Sequence, residues 1–339
     1  MLLIRKNAYA RAGLVGNPSD GYYGKTLSLV VRNFRAEATL YEWDQIEVVL
    51  SHDDRSRFDS VGELVRDVRL HGYYGGIRLV KATIKRFVEY CWREGYQLHA
   101  RNFSIRYQSD IPRQVGLAGS SAIIVATLRC LMEFYGIEIP RQVQPSLALS
   151  VETEELGIAA GLQDRVAQIY EGLVYMDFAR ERMQEQGGFR CGVYEPLDPS
   201  LLPPLYVAYK TDVSQPTEVI HGNLRARFDQ GEPAVVEAMA RFADLTVQAR
   251  EALLARDTER LGRLINANFD LRRSICRLPA GQVEMVERAR AAGATAKFAG
   301  SGGAIIGTYP DDATLRRLET ELVAIGCRII RPVIEKELP

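Results

Sequence analysis

Two glycines and two serines lie at the start of an apolar, helix-forming run in the stretch VGLAGSSAIIVATLRCL, residues 115–131. Gly116 and Gly119 allow backbone angles and close approaches that a Cβ atom would block. Ser120 or Ser121 then lies near the first helical turn, where free N–H groups and the positive end of the helix dipole attract an anion such as phosphate. A serine hydroxyl can also ligate Mg²⁺, which favours hard oxygen ligands. The stretch therefore predicts a phosphate and magnesium site, with a serine-capped turn as the structural alternative.

Two further stretches combine glycines with polar side chains beside apolar strands. Residues 11–29, RAGLVGNPSDGYYGKTLSL, contain four glycines among asparagine, serine, aspartate, tyrosine and lysine. Such a loop can line a pocket with side chains and main-chain donors, although a surface turn has the same composition. Residues 297–307, KFAGSGGAIIG, place Gly300, Gly302 and Gly303 between two apolar strands, which a β-hairpin also explains. Each stretch alone is therefore open to two interpretations.

The hydrophobic pattern predicts an α+β fold whose strands and helices position these stretches. Apolar residues recur at three- and four-residue steps over 76–94, which is typical of an amphipathic helix. Further helices are expected near 120–136, 142–156 and 162–171. Apolar, β-rich or alternating runs predict strands over 26–34, 44–51, 103–107 and 172–178.

A boundary between two domains is expected near LDPSLLPPL, residues 197–205, because three prolines interrupt any helix there. At roughly 100–200 residues per domain, the chain of 339 residues is also long enough for two. We therefore predict domains at residues 1–200 and 201–339. Strands in the second are expected at 206–210, 294–299, 303–309 and 327–334. Helices are expected at 215–229, 233–256, 258–274, 281–292 and 311–325.

The composition narrows the class of partner. Lys+Arg and Asp+Glu are both 43, so the formal net charge is zero, which argues against a nucleic-acid or membrane-surface binder. No apolar run approaches the ~20 residues that span a bilayer, and the N-terminus does not resemble a signal peptide. Five scattered cysteines without metal-ligand spacing fit reduced thiols, so we expect a cytoplasmic protein without a protein-held zinc site. The oligomeric state stays open, a homodimer included.

Together the three glycine-rich stretches resemble the motifs of the GHMP kinase superfamily, which includes galactokinase, homoserine kinase, mevalonate kinase and phosphomevalonate kinase. PRQVGLAGSSA, residues 112–122, is similar to the second motif, P-x-x-x-G-L-x-S-S-A, with one extra small residue. Residues 11–29 and 297–307 resemble the first and third motifs, in the family's order. Within the superfamily, GNPSDGYYGKTLSL is most similar to the first motif of the glucuronokinases. The resemblance implies a ribosomal-protein-S5-domain-2-like N-terminal β-α domain and a ferredoxin-like C-terminal α/β sandwich.

The resemblance also implies an activity, the ATP- and Mg²⁺-dependent phosphorylation of the anomeric hydroxyl of D-glucuronate or a similar sugar acid. Asp164, in a G-[IL]-x-D context, would act as base or orient the hydroxyl, and Lys25 would supply a neighbouring cation. Glu152, with Ser120 and Ser121, would bind Mg²⁺. The nucleotide phosphates would contact Pro112, Gly116, Leu117, Ala118, Gly119, Ser120, Ser121 and Ala122.

The site for the phosphate acceptor is expected in the loop at residues 11–29, here called the first loop. Asn17, Ser19, Asp20, Tyr22 and Tyr23 would contact the sugar, and Gly302 of the third motif would shape its site. Arg11 and Arg113 are the candidate partners of a uronate carboxylate, by location. Alternative acceptors are a neutral hexose, a heptose phosphate or an isoprenoid alcohol. A non-catalytic ligand-binding member of the superfamily is the alternative from another functional class.

Overall fold

The computed structural model describes residues 2–49, 76–211 and 218–335, with side chains in the last range described from Leu224 onward. The first of its two main sheets has six strands in the order β3-β4-β2-β5-β8, with β1 also paired to β2. In the described part of this sheet, β3 and β4 run parallel, and the other neighbouring strands run antiparallel. The strands are β1 (Leu3–Val15), β2 (Lys25–Trp43), β3 (Glu47–Val48), β4 (Asn102–Ser109), β5 (Leu173–Asp177) and β8 (Val193–Leu197).

Within residues 76–211, four helices accompany this sheet, and the central one begins at the second glycine-rich stretch. They are α1 (Gly76–Arg93), α2 (Gly119–Tyr135), α3 (Gln144–Ser150) and α4 (Gln163–Tyr170). α2 is apolar on most of its surface because it packs on β1 and β2 on one side and on α1 on the other. A small hairpin, β6 (Gln184–Gln186) and β7 (Phe189–Cys191), lies between β5 and β8. This packing fixes the N-terminus of α2 over the sheet.

The second main sheet has the antiparallel order β10-β11-β9-β12, which is the strand order of a ferredoxin-like sandwich. Its strands are β9 (Leu205–Lys210), β10 (Lys297–Phe298), β11 (Ala304–Thr308) and β12 (Cys327–Ile330). The helices are α5 (Glu218–Asp229), α6 (Pro233–Leu254), α7 (Thr258–Ile275), α8 (Ala280–Ala291) and α9 (Asp312–Val323). None of the helices described could cross a bilayer. The α+β fold expected from the sequence is confirmed.

The predicted bounds of strands and loops differ most from the structure at the N-terminus. The predicted loop at 11–29 is shorter, because its first residues belong to the long strand β1, and the strand predicted at 26–34 extends to Trp43. Ala8, Ala10 and Ala12 form the buried face of β1, and alanine gives little strand signal. The helix predicted at 142–156 ends at Ser150 and continues as a π-helical turn, Val151–Glu155. Parts of the strand predicted at 44–51 and the helix at 215–229 lie outside the described residues.

Candidate active site

The three glycine-rich stretches meet in space, backbone against backbone. At the end of β1 the Gly13 N–H donates to the Ala299 carbonyl oxygen at 2.7 Å. A Cβ on Gly116, whose φ is +74°, would lie 2.8 Å from the Ser301 nitrogen. A Cβ on Gly300 would lie 2.1 Å from the Gly116 carbonyl oxygen. Glycine is therefore required where the second stretch crosses the third, because no side chain fits between the two main chains.

The second stretch forms the turn into α2, as predicted. Ala118 has a left-handed backbone (φ +63°), and α2 begins at Gly119. Gln168 donates to the Ala118 carbonyl oxygen at 2.9 Å and to the Tyr9 carbonyl oxygen at 3.1 Å, which ties the turn to β1. The first N–H groups of any α-helix lack an intrahelical acceptor, so this end of α2 is suited to an anion.

The two serines of this turn have different environments. Ser121 is buried, and its hydroxyl donates to the Ala118 carbonyl oxygen at 3.1 Å. Ser120 is only partly buried. The structure therefore gives Ser121 a role inside the turn, whereas Ser120 is the more exposed of the two serines.

Asp164 lies in the first turn of α4 and is held by two arginines. Arg11 Nη2 donates to Asp164 Oδ1 at 2.5 Å, and Arg165 Nη1 lies 3.7 Å from Asp164 Oδ2. The other terminal nitrogen of Arg11 donates to the carbonyl oxygens of Ala299, at 2.6 Å, and Gly116, at 3.3 Å. Arg11 thus connects Asp164 to the second and third glycine-rich stretches. Its guanidinium is buried and already bonded to these three groups, and its predicted contact with a uronate carboxylate stays a prediction.

Lys25 was predicted to be the cation beside Asp164, and the structure places it elsewhere. Lys25 opens β2 directly opposite Asp177 of β5, and its Nζ lies 2.6 Å from Asp177 Oδ2. The antiparallel register thus gives Lys25 a carboxylate partner of its own. The guanidiniums near Asp164 belong to Arg11 and Arg165, and Arg11 is the closer of the two. The only sequence signal for Arg11 was a charged residue within a run of small and apolar residues.

Glu152, the predicted magnesium ligand, lies on the π-helical turn and forms a buried ion pair with Arg165. Arg165 Nη1 also donates to the Gly161 carbonyl oxygen at 2.7 Å. Within the described residues, no group of three or more histidine, cysteine, aspartate or glutamate side chains could hold a metal ion. Mg²⁺ usually takes one or two carboxylates together with substrate phosphates and waters. A carboxylate such as that of Glu152 and a hydroxyl such as that of Ser120 are hard oxygen donors of the kind that Mg²⁺ prefers.

Two of the predicted sugar contacts point into the protein. Ser19 is fully buried, and its hydroxyl donates to the Lys25 carbonyl oxygen at 2.9 Å and accepts from the Lys25 N–H at 3.2 Å. Asn17 is buried, accepts from Lys297 through Oδ1, and donates to the Gly300 carbonyl oxygen at 3.4 Å. Both side chains are therefore buried and hydrogen-bonded inside the protein in this structure, and their contact with the sugar stays a prediction. Their polar groups close the first loop and attach it to the third stretch.

Asp20, Tyr22 and Tyr23 form the outer part of the first loop. Asp20 Oδ2 accepts from the Gln163 N–H at 3.2 Å. Burial, and then the negative charge of Asp164, raise the pKa of Asp20 to about 6. Tyr22 packs edge-on against Phe228 with ring centroids 4.9 Å apart. The Arg180 guanidinium lies 4.0 Å from the centroid of the Tyr23 ring.

Two buried cations support the third stretch, and the sequence analysis assigned neither. Arg272 of α7 donates to the carbonyl oxygens of Gly300, at 2.7 Å, and Ser301, at 3.0 Å. Lys297 Nζ donates to three acceptors, the carbonyl oxygens of Gly13 and Phe298 and the side-chain oxygen of Asn17. Three acceptors need three N–H groups, which fits the ammonium form of Lys297. Burial, with the charges of Arg272 and Arg11, lowers the pKa of Lys297 well below its usual value.

Replacing Lys297 by methionine should lower the free energy of unfolding by about 2–3 kcal/mol, because three buried acceptors lose their donor. Equilibrium denaturation in urea would measure this change. The control is Lys85→Met, at a side chain that is 54% exposed, and it should change stability far less. A Lys297→Met protein as stable as the Lys85→Met protein would contradict the role given to Lys297.

Gly302 of the third stretch has a φ of +143°, and a Cβ there would collide with the Gln282 side chain. Asp164, Arg11, Asp20 and the start of α2 are linked by the contacts above, and Gly302 follows Ser301 beside them. The arrangement combines an anion site at a helix end, a fixed cation, and two carboxylates in one region. Such a set can hold a phosphate ester and orient a hydroxyl group for in-line transfer.

Comparisons with known proteins agree with this arrangement. The sequence matches the family described as GHMP kinases N terminal domain over residues 78–172, and the family described as GHMP kinases C terminal over residues 249–326. Glucuronokinase 1 of Arabidopsis thaliana is 44% identical over 95% of this chain and 90% of its own length. Probable glucuronokinase 2 of the same plant is also 44% identical, over 98% of this chain and 91% of its own length.

Among solved structures, Lactococcus lactis galactokinase complexed with galactose superimposes with a TM-score of 0.74 at 15% identity, covering 98% of this chain and 93% of the galactokinase. At that identity the likeness concerns the fold alone. It nevertheless extends over both sheets and all three glycine-rich stretches. With the two matched families and the near-complete alignments, it leads to one conclusion: the chain belongs to the GHMP kinase family.

Proposed function

We propose that this chain is an ATP-dependent sugar-1-kinase that phosphorylates the anomeric hydroxyl of D-glucuronate to give D-glucuronate 1-phosphate. One observation carries the chemistry. Arg11 joins Asp164 to both the second and the third glycine-rich stretches through its two terminal nitrogens. The choice of acceptor is supported by the 44% identity to a protein named glucuronokinase. The cytoplasm is supported as its compartment by five cysteines without a disulfide among them.

The nucleotide phosphates are assigned to the N-terminus of α2, where main-chain N–H groups and the helix dipole favour negative charge. The turn contributes Pro112, Gly116, Leu117, Ala118, Gly119, Ser120, Ser121 and Ala122. When bound, Mg²⁺ would neutralise charge on the β- and γ-phosphates, held by Ser120 and Glu152. Arg165 pairs with the buried Glu152 and supplies the opposite charge beside its carboxylate.

The acceptor is assigned to the region between the first loop and α4. Asp164 acts on the attacking hydroxyl as base or by orienting it, and Arg11 stabilises negative charge on the transferred phosphoryl group. Asp20, Tyr22 and Tyr23 contact the sugar, with Gly302 shaping the site opposite. Arg113, on the segment before the turn into α2, is the more exposed of the two candidate partners for the uronate carboxylate. We place the domain boundary at 200/201, between the last strand of the first sheet and β9.

A transfer assay with purified protein, Mg·ATP and a panel of acceptors tests the proposal. The panel contains glucuronate, galacturonate, neutral hexoses, a heptose phosphate and mevalonate, with ³¹P NMR of each product. We expect an anomeric phosphate from glucuronate and at least about tenfold lower kcat/KM for glucose, because a site built for a carboxylate loses an ion pair. Turnover of another acceptor alone would replace glucuronate. ATP binding without turnover of any acceptor would favour the non-catalytic alternative.

A further inference from the structure

Gln168 lies one helical turn after Asp164 on α4, and its side chain is fully buried. Residues four apart share a face of an α-helix, and this face of α4 meets β1. Asp164 accepts from Arg11 of β1 at 2.5 Å, and Gln168 donates to the Tyr9 carbonyl oxygen of the same strand at 3.1 Å. One face of α4 therefore carries both the site aspartate and a buried amide.

The amide of Gln168 uses its nitrogen for bonding and leaves its oxygen unused. Nε2 donates to two carbonyl oxygens, that of Tyr9 and, at 2.9 Å, that of Ala118. Oε1 is buried without a hydrogen-bond partner among the described residues. A buried oxygen without a partner is unfavourable, because it has lost its hydration. The arrangement therefore indicates that position 168 serves the fold or the site through its two donors.

The turn into α2 is held through three consecutive carbonyl oxygens. Arg11 donates through Nη1 to that of Gly116 at 3.3 Å and through its main-chain N–H to that of Leu117 at 3.1 Å. Gln168 donates to the third, that of Ala118. The C=O and N–H groups of a trans peptide unit point in opposite directions. The three amides that follow these carbonyls therefore face away from β1 and α4, as a run of donors suited to an anion.

Without the Gln168 amide, the turn would loosen more than the helix would. Arg129 of α2 donates to the Gln168 carbonyl oxygen at 2.9 Å and to the Asn7 carbonyl oxygen at 2.6 Å, so α4 is attached to α2 and β1 through main-chain groups as well. Ala118 has a left-handed backbone, φ +63°, which is strained for alanine and persists only where its surroundings hold it. The Gln168 amide is one of those restraints.

We propose that Gln168 is a positioning residue for phosphate transfer, whose amide holds the turn into α2 in register with Asp164. This inference rests on the proposed kinase function. In that function the phosphates of ATP follow the turn, whereas the acceptor hydroxyl follows α4 through Asp164. Gln168 connects the two, so it sets the distance from the γ-phosphorus to the attacking oxygen without touching either substrate. A misplacement of about 1 Å between reacting groups costs about 10²-fold in rate.

The test is the kinetics of Gln168→Met, which nearly keeps the length of the side chain and removes both donors. We expect kcat, normalised to the folded fraction, to fall about 30-fold. The Kd for ATP and the KM for the acceptor should each change by less than about threefold, because each substrate keeps its own contacts. Single-turnover transfer, initial rates, calorimetric titration with ATP and urea denaturation measure these quantities. A residue that only stabilised the fold would lower the urea midpoint and leave the normalised kcat unchanged.

Gln168→Glu is the second variant. A protonated carboxyl group has the same shape as the amide and keeps one donor, and burial favours that neutral form. Its normalised kcat should therefore lie between those of the wild type and Gln168→Met. Gln142→Met is the matched control, because Gln142 also donates through Nε2 to a main-chain oxygen, that of Gly192 at 3.0 Å, from the segment between α2 and α3. It should behave as the wild type.

The outcomes separate this inference from the proposed function. A folded Gln168→Met protein with the normalised kcat of the wild type would overturn the positioning role and leave the kinase standing. A loss of kcat matched by an equal loss of ATP affinity would also overturn it, since Gln168 would then serve nucleotide binding alone. Absence of phosphate transfer by the wild type would instead overturn the proposed function.

Discussion

Asp164→Asn should reduce kcat by about 10³-fold while changing the Kd for ATP by less than about threefold. The physical reason is the arginine pair around Asp164. The neutral amide still fits between Arg11 and Arg165 but no longer balances their charge, and its NH₂ group points a donor at a donor or at the acceptor hydroxyl. The attacking hydroxyl then loses the acceptor that orients it. Single-turnover phosphate transfer and calorimetric titration with ATP measure the two quantities.

The control for this prediction is Asp311→Asn at the N-cap of α9, where asparagine caps as well as aspartate does. Its kcat and its affinity for ATP should match the wild type. Equal losses of ATP affinity and kcat in Asp164→Asn would mean that Asp164 holds the nucleotide site together. Near-normal kcat would remove Asp164 from the chemistry altogether.

The sequence indicated the turn into α2 because the signal for such a turn is local. The residues that build it follow one another from Gly116 to Ser121, and the helix end that makes it useful follows directly. Asp164 was predicted as a site residue in the same way, from the short pattern that begins at Gly161. The helix predicted at 162–171 agrees closely with α4 because its start and its apolar face are both encoded within ten residues.

The cation beside Asp164 was not predictable, because Arg11 and Asp164 are 153 residues apart in the chain. Lys25 was predicted to be that cation because it follows the first loop. Its partner is instead decided by the register of β2 and β5, which places Lys25 opposite Asp177. Ser19 was predicted to contact the sugar through its hydroxyl, but that hydroxyl forms two hydrogen bonds with the Lys25 main chain inside the tight loop. In each case the side chain's partner is set by a contact that forms only when the chain folds, and the type of the residue does not reveal that contact. A single sequence contains no record of such contacts.

The crossing of the second and third glycine-rich stretches leaves no room for added volume at Gly300. A Cβ on Gly300 would lie 2.1 Å from the Gly116 carbonyl oxygen and 2.9 Å from Arg11 Nη1. Both neighbours are constrained, the first as backbone and the second by its bonds to Ala299 and Gly116. Neither can move aside at low cost. Buried overpacking of this kind typically costs about 1–3 kcal/mol, and more where backbone must shift.

Gly300→Ala should therefore lower the free energy of unfolding by about 3 kcal/mol and kcat/KM for ATP by more than about 10²-fold. The activity loss has a separate cause from the stability loss. Moving the turn into α2 by about 1 Å would misalign the γ-phosphate with the attacking hydroxyl, even in molecules that stay folded. Urea denaturation and initial rates, normalised to the folded fraction, separate the two effects. A folded Gly300→Ala protein with wild-type kcat/KM would show that the crossing only stabilises the fold. A normalised loss would show that the third stretch sets the position of the transferred phosphate.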